Sequence, residues 1–79
     1  MSVKTVYCVQ PFWRSGKRLV RAEMRQFKQE DEARRAGERF YKNHAGVMVY
    51  SMEGDPEYED SWGQLKVVAT FGEVPPMDA

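Results

Sequence analysis

Only QEDEARRAGERFYKNHAG (29–46) in this 79-residue chain has helical periodicity; the other apolar runs alternate with period two. Ala33, Ala36, Gly37, Phe40 and Tyr41 fall at the i, i+3, i+4, i+7, i+8 spacing of one apolar stripe. Glu30, Asp31 and Glu32 crowd the first turn, and Lys42 and His44 sit in the last. That order suits the helix dipole, with each end charge worth about 0.3–1 kcal/mol. Glu30 with Arg34, Asp31 with Arg35 and Glu38 with Lys42 are i, i+4 pairs on the wet side. Gly46 is a natural stop, while neither Lys28 nor Gln29 is a preferred N-cap. Gly37 costs up to about 1 kcal/mol relative to Ala, which implies that the helix backbone approaches the sheet closely at that point.

The strand-like segments lie on both sides of this helix. VKTVYCVQPFW and KRLVRAEMRQF read as a hairpin about Ser15-Gly16, because a two-residue turn needs the positive φ that Gly supplies. Pairing outward sets Trp13 against Arg18, Pro11 against Val20, Val9 against Ala22 and Tyr7 against Met24 on a core face. The other face carries Phe12 with Leu19, Gln10 with Arg21, Cys8 with Glu23 and Val6 with Arg25. Pro11 cannot donate to the ladder and signals an edge or a bulge. VMVYSM and QLKVVATF are the third and fourth strands, linked by the acidic loop EGDPEYEDSWG with its Gly-Asp-Pro turn. The expected fold is α+β: a ββαββ, four-stranded, mainly antiparallel sheet with one helix packed on one face. A single domain over 1–74 and a flexible tail over 75–79 complete the expectation.

One helix covers one sheet face, yet both faces are apolar. Val47 and Val49 alternate with Met48, Tyr50 and Met52, and Leu65, Val67, Ala69 and Phe71 alternate with Val68. Burying each such side chain contributes roughly 1.5–3 kcal/mol, so an uncovered face forfeits several of these terms. A homodimer is therefore expected, through second sheet faces or exchanged strands. Met24, Met48 and Met52, with Tyr7 and Tyr50, add adaptable apolar surface suited to a protein partner.

The net charge is zero, but it is split. Residues 1–42 hold eleven Lys/Arg against five acids, +6, and residues 43–79 one Lys against seven acids, −6. The halves can fold onto each other, bind outside partners, or dimerise with opposite halves facing; a zero sum favours the first. Cys8 stands alone, which excludes an intramolecular disulfide and a cysteine-rich zinc site and reads as a cytoplasmic protein. No apolar run is long enough for a membrane span, and the first residues lack a secretory layout.

The hairpin carries the strongest candidate surface: Phe12, Trp13, Arg14, Lys17, Arg18, Arg21 and Arg25. Its bases suit phosphates, with Arg21 and Arg25 the expected contacts, and Phe12 or Trp13 suits stacking or wedging. Against this, Trp13 on Arg18 makes an ordinary cross-strand cation–π contact, and no RNP-type, KH or helix-turn-helix signature is present. The loop acids Glu53, Asp55, Glu57, Glu59 and Asp60 lack EF-hand spacing and read as a solvated loop with the charge to face the basic hairpin. Nucleophilic chemistry would need Cys8 with His44, but a mid-strand cysteine usually acts as a small hydrophobe. No catalytic, cofactor-binding or metal-ligating residue is assigned. The expected function is a homodimeric protein-interaction module acting by binding, with nucleic-acid binding through the hairpin as the alternative.

VQPF in the first strand, AGVMVYSMEGDPE after the helix and the closing FGEVP resemble a family of small uncharacterised bacterial proteins, over most of residues 6–75. The resemblance implies a bacterial cytosolic protein. It brings no activity and no site residue.

Overall fold

The computed structural model describes residues 3–55, 57–58, 62–63 and 65–75. Its elements are β1 (Lys4–Ser15), β2 (Arg18–Arg21), β3 (Arg25–Phe27), α1 (Glu30–Tyr41), β4 (Gly46–Gly54) and β5 (Lys66–Gly72). The sheet is antiparallel in the order β2-β1-β4-β5, and β3 extends the β2 edge along β1. One helix on a largely antiparallel sheet is the expected α+β architecture, with the second strand divided in two.

Pro11 causes the division. Its carbonyl accepts from Ala22 N at 3.0 Å, so the side of β1 facing β2 is where its missing N–H would have donated. The Gln10 side chain substitutes, with Nε2 donating to Ala22 O at 2.7 Å and to Pro11 O at 2.9 Å. The residues from Ala22 to Met24 form the break, and the pairing gains one residue across it. Val20 faces Trp13, whereas Arg25 faces Val9 and Phe27 faces Tyr7.

This corrects the expected register. The turn residues are Gly16 and Lys17, with Gly16 at φ +63°, so Ser15 pairs with Arg18 and Trp13 with Val20. A shift of two keeps Arg18 and Val20 on their expected face. The extra residue beyond Arg21 then exchanges faces for Met24 and Arg25. A second irregularity, at Val49/Tyr50, sets Val67 against Tyr50 and Ala69 against Val49. Val68 accordingly packs on the core with Ala69 and Phe71, instead of alternating with them.

α1 lies over the face formed by Tyr7, Val9, Val47 and Val49. Ala33, Ala36 and Gly37 are buried, Phe40 is half-buried, and the Tyr41 ring sits 6.1 Å from that of Phe71. Small residues let the helix settle close: a Cβ at Gly37 would stand 2.8 Å from Val49 Cγ2 and 3.1 Å from Phe71 Cε2. Gln29 is the N-cap without a side-chain cap, and Glu30 pairs with Arg34 at 3.0 Å. The expected Asp31–Arg35 and Glu38–Lys42 pairs do not form. The helix ends at Tyr41, so His44 lies past the last turn and caps it from outside, its ring nitrogen 2.7 Å from Phe40 O.

The second face is partly covered by the chain itself. The Glu73 backbone occupies the place where a side chain on Gly46 would stand, on the face Gly46 shares with Phe12. Glu73 N donates to Ala45 O, and Val74 and Pro75 are half-buried; residues 76–79 of the expected tail lie outside the described residues. At the other end the Trp62 ring packs against Gly54. Cys8, Phe12 and Met48 are thereby only 2%, 3% and 4% exposed. On this face Met24 and Val67, toward the two edges of the sheet, stay at the surface.

Candidate functional site

The hairpin residues divide between the two faces. Trp13, Arg18 and Arg25 share the helix side, through their pairing with Val20, Ser15 and Val9. Arg21 pairs with Phe12 on the other side and lies close enough to Tyr50 to act on its charge. The Arg21–Arg25 row expected for phosphate therefore does not exist. Phe12 is buried and presents no ring for stacking. Arg14 is held by Glu73 and by the Gly16 carbonyl at 3.3 Å. Lys17 and Arg18 are exposed at the turn.

On the helix side the hairpin and the end of α1 enclose a groove of about 320 Å³. Its apolar lining is Pro11, Trp13, Ala22 and Phe40, joined by His44, with Glu23 and Arg25 at the rim. The Trp13 ring lies on His44, centroids 4.1 Å apart and planes 35° apart, in place of the expected contact with Arg18. Half of Trp13, 49%, is still exposed. A carbonyl only accepts, so the 2.7 Å contact with Phe40 O places the His44 proton on Nδ1. Nε2 of the neutral ring then keeps its lone pair for another donor. Arg39 lies over Phe40 at 5.7 Å from the ring centroid, adding a cation beside the groove.

His44, Phe40 and Glu23 were not legible as site residues. The one available signal was that His44 falls three positions after Tyr41, on the continuation of the helical stripe.

Charge is distributed by the pairing of β1 with β4. Lys4 lies beside Gly54 and Phe12 beside Gly46, so the acidic loop leaves one end of the sheet and the hairpin tip projects from the other. Lys4 and Gly16 are separated by about 40 Å of strand, several times the ~8 Å screening length at physiological salt. The Arg14–Glu73 pair joins the basic half to the acidic half. Glu53 and Asp55, beside Gly54, stand at the end of the sheet away from the hairpin tip. Asp55 is buried and bonds within its own turn, Oδ1 accepting from Glu57 N at 3.0 Å; Glu59 and Asp60 lie outside the described residues.

Cys8 and His44 stand on opposite faces of the sheet and cannot act as a pair. Burial pushes the Cys8 thiol up, against hydrogen bonding from Tyr50 and Gln26. Burial, followed by Cys8 itself, pushes Tyr50 up, with Arg21 opposing. A buried thiol kept protonated is a poor nucleophile. The Tyr50 hydroxyl also donates to Met24 Sδ at 2.9 Å. A smaller cleft of about 240 Å³, lined by Val6, Gln26, Met52 and Trp62, opens on this same second face. No described helix is long and apolar enough to cross a membrane. Comparison with family models, with curated proteins and with solved structures returns no match.

Proposed function

We propose that this chain is a homodimeric interaction module that acts by binding rather than by catalysis, two copies meeting through their second sheet faces with opposite ends together. The observation that carries this reading is the placement of the basic hairpin tip and the acidic loop at opposite ends of one sheet, too far apart to neutralise each other. A two-fold axis across the strands sets each tip against the partner's loop. Met24, Val67 and the cleft beside Trp62 supply apolar contact on the second face.

Sedimentation velocity tests the reading. The expected result is twice the 9.2 kDa chain mass at low salt, with dissociation promoted by added salt and by Arg21→Glu, a hairpin cation on the second face. Glu57→Lys in the same chain is expected to recover part of the loss. A single-copy mass at millimolar concentration and low salt overturns the proposal.

A further inference from the structure

We infer that the groove between the hairpin and the end of α1 binds single-stranded nucleic acid, stacking one base on Trp13 with the strand's phosphates running along the helix side of the hairpin. The groove lies on the face opposite the proposed dimer contact, so it works whether or not two copies associate.

Three observations converge on that occupant. The first is the tryptophan. An indole that is half exposed, although backed by His44 and bordered by Pro11 and Phe40, offers a fixed flat surface. Bases stack on such surfaces in a sequence-tolerant way. The second is charge. Arg18 lies on the tip side of Trp13, Arg25 on its far side and Arg39 over Phe40, with Glu23 the one acid lining the groove. None of these three arginines has an ion-pair partner among the described residues. A neutral aromatic peptide would gain nothing from this row of cations, whereas a phosphate backbone gains from each of them. The third is polarity at the rim. His44 Nε2 accepts, as does the Glu23 carboxylate, and the Arg25 guanidinium donates. This set meets the mixed donors and acceptors of a base edge, which a lipid or simple anion would leave unused. Unpaired bases are required, because a duplex hides their faces within its own stack. At about 320 Å³ the groove is at the small end of ligand pockets and admits one ring system at a time.

The experiment is a titration of a fluorescein-labelled thymidine oligonucleotide, read by anisotropy, alongside Trp13 emission in Trp62→Phe protein. Expected results are quenching of Trp13 emission on binding and affinity that falls steeply with salt. Trp13→Ala is expected to weaken binding about 5- to 100-fold, and Trp13→Phe to restore most of it. Arg18→Gln and Arg25→Gln are each expected to lower the salt slope by about one; both side chains are exposed, so these variants report even if Trp13→Ala does not fold. Equal affinity of Trp13→Ala and wild type, unchanged Trp13 emission, or tighter binding to a duplex than to the strand overturns the inference. So does an aromatic peptide that quenches Trp13 where the oligonucleotide has no effect.

Discussion

Replacing Gly37 by Ala in the middle of α1 sets two effects of opposite sign against each other. In an exposed helix interior, Gly→Ala stabilises by about 0.8–1 kcal/mol, because glycine loses more backbone freedom on folding. At Gly37 the new methyl would stand 2.8 Å from Val49 Cγ2 and 3.1 Å from Phe71 Cε2. Val49 is completely buried and part of the central cluster, so it has little room to retreat. Overpacking of this kind costs about 1–3 kcal/mol. The steric effect wins, and the expected net loss is about 1 kcal/mol, seen as a Tm about 4–8 °C lower for a domain of this size. Val49→Ala removes the obstructing methyl and by itself costs about 2 kcal/mol, from lost transfer energy and the cavity. In Gly37→Ala protein it should cost about 1 kcal/mol less, a coupling that a double-mutant cycle resolves. Urea unfolding followed by far-UV circular dichroism supplies all four stabilities. A Gly37→Ala protein more stable than wild type, with additive double-mutant behaviour, would refute the close approach of helix to sheet.

Three further outcomes are expected. Gln10→Ala leaves the Ala22 carbonyl without its 2.7 Å donor and should cost about 1 kcal/mol in urea unfolding; an unchanged midpoint would mean that water replaces the side chain at no cost. Because burial raises the Cys8 thiol, the unfolded chain loses that proton first, so stability is intact below the ordinary thiol pKa of about 8.5 and declines as pH rises above it. Tyr50, also raised, extends the decline above about 10; Cys8→Ala should flatten the first part, and a wild-type midpoint constant from pH 7 to 10 would contradict it. Gly54→Ala forces the Trp62 ring off the second face, with an expected red shift of Trp62 emission in a Trp13→Phe background and a loss of about 1–3 kcal/mol; an unshifted spectrum would show that the ring does not rest there.

The architecture was readable because its determinants are local. The stripe from Ala33 to Tyr41 and the period-two runs around it settle one helix on one sheet. Pro11 announced the break opposite it, and Gly37 the close contact. The register was harder, since Ser15, Gly16 and Lys17 allow turns two residues apart, and no local rule counts the extra residue between Ala22 and Met24. The covering of the second face was also hidden: Glu73 over Gly46 and Trp62 over Gly54 join residues distant along the chain. Trp13 is half exposed, yet its neighbour is His44, 31 positions away, and cross-strand reasoning considers only the strand opposite.

The interruption between Ala22 and Met24 works as a half-step rotation built into one edge of the protein. Above it, Arg21 points away from α1; beyond it, Arg25 points toward it. Shortening this segment by one residue would turn everything from Arg25 to Phe27 inside out, driving a guanidinium onto Tyr50's side and withdrawing the Phe27 ring from the core. The spacer length, more than the identity of any residue in it, therefore decides which side of the molecule each arginine serves.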